Sequence, residues 1–386
     1  MDRRHFLRIA SLALPALSAG RLYAAPSGSP RLLIVFLRGG YDCLNVLVPY
    51  TSADYYESRP NIAIAKPPES LQLDASWALN PALSATVAPM WAARQIAFVP
   101  FAGTDDLSRS HFETQDSIEL GQPVDHPDLR SGFLARLASV LGSDKSIAFT
   151  DSLPATFRGA QNIPNISLKA VSKPAFDERQ ASVLAAMYAH HPLHAQVQEG
   201  LELRQQVSQA MAEEMQQANR DAVTAKGFEL EAQRIGRLLR SDYALGFVDI
   251  GGWDTHVNEV QTLATNLDSL GRGLQSLARE LGPVWNDTVV VVVSEFGRTF
   301  RENGSRGTDH GHGSVYWVAG GAVAGGRIAG RQEAVARPSL FQDRDLPVLN
   351  EYRALLGGLF KRLWGLSDSQ IEQVFPSAPP TDLQLV

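Results

Sequence analysis

Apolar residues in this chain gather into short unbroken runs, and most of these runs end in glycine and polar side chains. Val289 to Val293 is five consecutive valines, Arg31 to Leu37 reads RLLIVFL, and Gln95–Phe101, Tyr243–Ile250 and Ser314–Ala319 are built alike. β-Branched residues favour strands, and a run without polar alternation suits a strand covered on both faces, as in a parallel sheet. Helix-forming stretches lie between the runs: Asn80–Ala93, a segment from Ser110 toward Leu120, Gln196–Ser241, Asn266–Gly282 and Asn350–Trp364. Pieces between Ser146 and Lys173 alternate with Pro and Gly and read as brief strands and loops. Strand, helix, strand and helix in this rhythm predict an α/β fold, a mostly parallel sheet joined by right-handed crossovers.

The polar residues sit where such a fold places ligands, beyond the carboxyl ends of the strands. Asp42 follows Arg38-Gly39-Gly40-Tyr41, and Asp254 and His256 follow Gly251-Gly252-Trp253. Glu295 and Arg298 follow the valine strand, and Asp309, His310 and His312 lie on the glycine-bent loop after them. Carboxylates and imidazoles on bent backbone are the ligand chemistry of a divalent metal site; the plainer reading is a polar loop whose histidines bond their neighbours. Asp42 is either a ligand or the cap of a following helix or turn. Ser110 with Glu113 forms the S-x-x-E pattern of a capping box, so Ser110 starts a helix. A hydroxyl there is either a cap or, facing free N–H groups, a nucleophile beside a bound anion. Arg109 and His111 flank it, while His190, His191 and His194 surround Pro192 without a carboxylate and read as surface residues.

The amino terminus reads as an address. Arg3-Arg4 with Phe6-Leu7, an apolar stretch Ile9–Ala19 and the small residues near Ala24-Ala25 form a twin-arginine signal over residues 1–25, too short to anchor in a bilayer. The expectation is a periplasmic or secreted protein delivered by the twin-arginine machinery, with no stable membrane span. The chain of 386 residues carries a formal charge of −6; without the signal it has 31 basic against 40 acidic residues, a charge of −9. An acidic protein without clustered Lys and Arg is not a nucleic-acid binder. Cys43 is the sole cysteine, which excludes an intramolecular disulfide, so stability comes from the core.

Taken together, LRGGYDCLN, SRSHFE, GGWDTH, SEFGRT and GTDHGHG resemble the family known as domain of unknown function 1501, over nearly the whole mature chain. That family resembles the alkaline-phosphatase-like and sulfatase-like superfamily. The resemblance implies one such domain over residues 30–386 with helices on both faces of its sheet; the helical segment at about 196–241 within it is read from its helix-forming residues and their spacing. The resemblance also implies one or two divalent ions, whether zinc, manganese, magnesium or calcium. Carried over by the resemblance, Asp42, Asp254, His256 and His312 would be ligands and Ser110 the nucleophile; Glu295, Asp309 and His310 join the ligands by their own chemistry, and Arg109 would stabilise charge on a small anionic phosphate or sulfate ester. Glu295-Phe296 stands where the superfamily commonly has Asp-His, so either His310 or Asp309 replaces the missing imidazole or one metal is weak or absent. The alternative is a non-catalytic envelope binding or assembly protein on the same fold.

Overall fold

A computed structural model describes residues 29–125, 127–143, 145–160, 163–166, 178–189, 191–198, 201, 227–241 and 243–386. The signal sequence, His126, His190 and residues 202–226 of the expected long helical segment lie outside the described residues.

The strands are β1 (Arg31–Leu37), β2 (Leu47–Val48), β3 (Leu71–Gln72), β4 (Ala78–Leu79), β5 (Ile96–Gly103), β6 (Ser146–Phe149), β7 (Leu245–Ile250), β8 (Thr288–Ser294), β9 (Ser314–Ala319), β10 (Arg327–Ile328) and β11 (Asn350–Glu351). Eight of them form the central sheet in the order β10-β5-β9-β8-β1-β7-β6, with β11 also paired to β5; β2, β4 and β3 form a small antiparallel sheet. β8, β1, β7 and β6 run parallel, as do β10 and β11 with β5; β9 alone runs antiparallel to its two neighbours. The reason lies in the connection. A parallel return needs a crossover, usually a helix, whereas residues 295–313 between β8 and β9 hold none. The chain therefore leaves β8 and re-enters β9 at the same sheet edge.

β1 explains why an all-apolar run was required. Leu33, Val35 and Leu37 pack in one core and Leu32, Ile34 and Phe36 in the other, because successive side chains point to opposite faces. On the first face lie helices Phe228–Ser241 and Glu259–Leu281; on the second lie His111–Leu120, Phe133–Leu141, Tyr352–Trp364 and Asp368–Val374. The result is a three-layer α/β/α arrangement with helices on both faces. The expected helix over Asn80–Ala93 is instead a 3₁₀ turn, Pro81–Leu83, and a short helix, Val87–Ala92. Proline lacks an N–H, so Pro81 and Pro89 both sit in first turns, where no intrahelical donor is needed. Among the described residues no helix is long and apolar enough to cross a membrane.

Candidate metal centre

Loops after β1, β5, β7 and β8 meet at the carboxyl edge of the sheet. Gly39 has φ +126°, and a Cβ there would lie 2.5 Å from the backbone nitrogen of Asp254, so only glycine lets the β1 and β7 loops approach this closely. The loop after β5 ends at Ser110, and His111 opens the helix that follows.

Three histidines converge on Asp254. His111 Nε2 lies 3.5 Å from Asp254 Oδ2, while His256 Nε2 and His310 Nε2 lie 3.0 and 3.4 Å from Oδ1. Each ring is held from behind through Nδ1. His111 Nδ1 donates to Glu295 Oε1 (2.8 Å), His256 Nδ1 to Asp309 Oδ1 (3.1 Å), and His310 Nδ1 to the carbonyl of Arg109 (3.0 Å). With the proton assigned to Nδ1 by these acceptors, every neutral ring presents a bare Nε2 to Asp254. His111 Nε2 is buried without any hydrogen-bond partner. His256 and His310 set their Nε2 atoms 3.2 Å apart, and two facing lone pairs require a proton or a cation between them.

These features fit a divalent ion. One donor atom each from His111, Asp254 and His310 lies within 4.8 Å of the others. Nitrogens bound to one tetrahedral ion at ~2.0–2.1 Å lie about 3.3 Å apart, close to the His256–His310 spacing. Backing of ligand histidines by carboxylates and carbonyls is what orients such rings. The electrostatics are set by the same contacts. The hydrogen bond to Glu295 holds the His111 pKa above its ordinary value, whereas burial, with help from His111 and Arg298, lowers that of His310. Burial would raise the Asp254 carboxyl, but the Arg298 hydrogen bond and charge outweigh it and hold it below the usual range.

Beneath the centre lies a buried polar layer. Arg298, 1% exposed, donates to the carbonyls of Gly39, Gly40, Trp253 and Thr308 and to Asp254 Oδ1. Glu259 accepts from Asn45 Nδ2 (3.0 Å), Thr255 Oγ1 (3.2 Å) and Thr308 Oγ1 (2.5 Å). Burial first, and then the neighbouring charge of Asp42, push its carboxyl up to about 9.

A family model described as Protein of unknown function (DUF1501) matches residues 29–375. The chain belongs to this family. No curated protein matches it. Solved structures similar to this DUF1501 chain include a lipoteichoic acid synthase, LtaP, from Listeria monocytogenes. It is 8% identical, with 94% of this chain and 78% of that one covered and a TM-score of 0.43. A 2-O GAG sulfatase is 11% identical over 88% of this chain and 71% of its own, at a TM-score of 0.41. A protein in the alkaline phosphatase superfamily from Vibrio parahaemolyticus is 12% identical over 76% of this chain, at a TM-score of 0.37. The DUF1501 chain spans only 60% of that protein's length. All three TM-scores lie below 0.5.

Of the residues singled out in the DUF1501 sequence, Asp254, His256, Asp309 and His310 are brought together. Asp42 is not among them. It is fully buried in a two-point pair with Arg59 (2.5 and 3.0 Å), and although burial opposes ionisation, the Arg59 charge holds its carboxyl low. Glu295 also stands one layer back. Its Oε1 accepts from Gly39 N, His111 and Gln115, each at 2.8 Å, and Oε2 lies 2.9 Å from the Ser294 hydroxyl, which also reaches the Leu37 carbonyl at 2.6 Å. His312 packs on the Phe341 ring, and burial lowers its pKa to about 4, away from the converging histidines. The Arg109 guanidinium is bound to Asp345 (2.6 Å) and Gln342 (2.8 Å), so Arg109 reaches the centre through its carbonyl instead. Ser110 is the N-cap of the helix, but its hydroxyl makes no capping bond and Glu113 is exposed, so the expected capping box is absent. Thr114 Oγ1 contacts Ser108 Oγ, which also accepts the Ser110 N–H. His191 is exposed, with Nδ1 accepting from Leu193 N.

Sequence reasoning gave His111 no role in the centre. The signal was present: an imidazole directly after a candidate nucleophile at a strand end. Arg59 and Glu259 carried no comparable signal, and nothing local showed what Arg298 binds, because the partners that decide their roles include residues 17, 214 and 259 positions away.

Proposed function

We propose that this chain is an exported metal-dependent hydrolase of phosphate or sulfate esters, with a centre built from His111, Asp254, His256 and His310 and with Ser110 as nucleophile. The observation that carries the reading is the convergence of three Nε2 atoms on one carboxylate, each ring held from behind through Nδ1. A bound divalent ion would act there as a Lewis acid, drawing charge from an ester oxygen and lowering the cost of ionising a nearby hydroxyl. The Ser110 hydroxyl, free of a capping bond, opens a ten-residue helix whose first N–H groups favour an anion. Ser110 Oγ attacks phosphorus or sulfur, the ester oxygen leaves with a proton, and water then cleaves the covalent serine ester. Glu295, Asp309 and the Arg109 carbonyl keep the imidazoles in their tautomers throughout. Export through the twin-arginine route to the periplasm or beyond belongs to the same proposal and is supported by Arg3-Arg4 and the apolar run after them.

The engagement of Asp42 by Arg59 and of Glu295 Oε1 by three donors favours a second reading, a binding or assembly protein that keeps the centre without turnover. One experiment separates them. The mature protein is loaded with zinc or manganese, its metal content is measured, and aryl phosphates and aryl sulfates are offered. Hydrolysis that is lost in His310→Ala together with the metal supports the enzyme. Bound metal without turnover of either ester class supports the binding protein, and a chain that takes up no metal removes both.

A further inference from the structure

We infer that the centre holds a single divalent ion and that the buried guanidinium of Arg298 occupies the place a second cation would take. This rests on the metal reading above and adds its stoichiometry. Arg298 sits in a cage of oxygens. The carbonyls of Gly39, Gly40, Trp253 and Thr308 and Oδ1 of Asp254 surround its donors. Carbonyls plus one carboxylate are the donor set that a hard cation takes. Here a side-chain cation fills it, 1% exposed and contributed by the loop between β8 and β9.

Charge balance points the same way. Asp254 lends one oxygen to Arg298 and keeps Oδ2 toward His111, so its carboxylate is already shared between a fixed cation and the three histidines. The other buried acids of the region are engaged as well: Asp42 by Arg59, and Glu295 Oε1 by His111, Gly39 N and Gln115. Glu259 accepts from Asn45, Thr255 and Thr308. A second dication in this cage would have to displace or face the Arg298 charge, and buried like charges are screened little by water. The guanidinium thus supplies fixed positive charge without exchanging with solvent.

Manganese gives the test, because two bridged ions couple magnetically and one does not. The full chain is equilibrated with excess Mn2+, freed of unbound metal, and read both by elemental analysis and by electron paramagnetic resonance. One equivalent with the six-line spectrum of an isolated ion is expected. Two equivalents, or a multi-line coupled spectrum, overturn the inference while leaving the metal centre standing; zero equivalents remove the centre itself. Arg298→Ala probes the assignment of the cage. Emptied of its guanidinium, the cage should bind a second Mn2+ or Ca2+, and added Ca2+ should raise the melting temperature of the variant but not of the wild type. A folded Arg298→Ala protein that still binds one ion and ignores Ca2+ overturns the role of Arg298. If that variant does not fold, the wild-type stoichiometry and spectrum decide the question.

Discussion

Glu295, fully buried at the end of β8, accepts the Nδ1–H of His111 at 2.8 Å and so ties the sheet to the first turn of the helix after β5. Loss of a carboxylate behind a ligand histidine typically weakens metal binding 10- to 100-fold. Glu295→Gln should therefore lower affinity by about that factor while leaving the number of ions per chain unchanged. Competition against a chelator measures it, and unaltered affinity would show that the pair is structural only.

Ser110 makes no capping bond, so Ser110→Ala removes no hydrogen bond from the fold. The melting temperature should stay within the range of a surface change, about ±0.5 kcal/mol in stability, and metal content should not move. Turnover of the ester that the wild type hydrolyses should fall by orders of magnitude. Near-normal turnover would make Ser110 a bystander.

The Asp42–Arg59 pair is inaccessible to solvent on both sides. Breaking such a pair from one side leaves an uncompensated buried charge, which costs about 3–5 kcal/mol. Arg59→Met should lose stability of that order in urea unfolding. Adding Asp42→Asn to Arg59→Met should recover part of the loss, since the stranded charge goes with it. A double variant no more stable than the single would place the cost in packing instead.

Glu259 gives the fold a pH dependence of unusual sign. Its carboxyl is pushed up to about 9 by burial and by Asp42, against an ordinary 4.5 in the unfolded chain. Between those values the folded protein keeps a proton that the unfolded chain has released. This group's contribution is therefore fully present below 4.5 and is lost as pH rises toward 9. Asp42 acts oppositely, since its lowered pKa costs stability only in acid, below its ordinary 3.8. Melting temperatures from pH 5 to 9 should fall more in the wild type than in Glu259→Gln, which cannot titrate. Parallel curves would assign the proton elsewhere.

Export is checked in cells. Changing Arg3 and Arg4 together to lysine should leave precursor in the cytoplasm, whereas normal processing of that variant would argue for another route.

Local pattern carried most of the fold. An unbroken valine run suits a doubly covered strand, and glycine-bent strand ends already placed Asp254, His256, Asp309 and His310 at one edge. That much needs only side-chain volume, β-branching and the period of a strand, all local properties. What tertiary structure decided is which of the polar residues remain free. Asp42 and Glu295 look like ligands because a carboxylate's chemistry is visible in the sequence. Arg59 and the imidazole of His111 reach them from 17 and 184 positions away. Arg298 is visible at the end of the valine strand, but what it binds is not, because its acceptors come from loops after β1 and β7 as well as its own. Even the direction of β9 follows from what residues 295–313 do not form, a crossover helix. A side chain's charge belongs to its residue, but the partner that neutralises it belongs to the fold, and in a buried site that partner determines whether an acid can hold a metal.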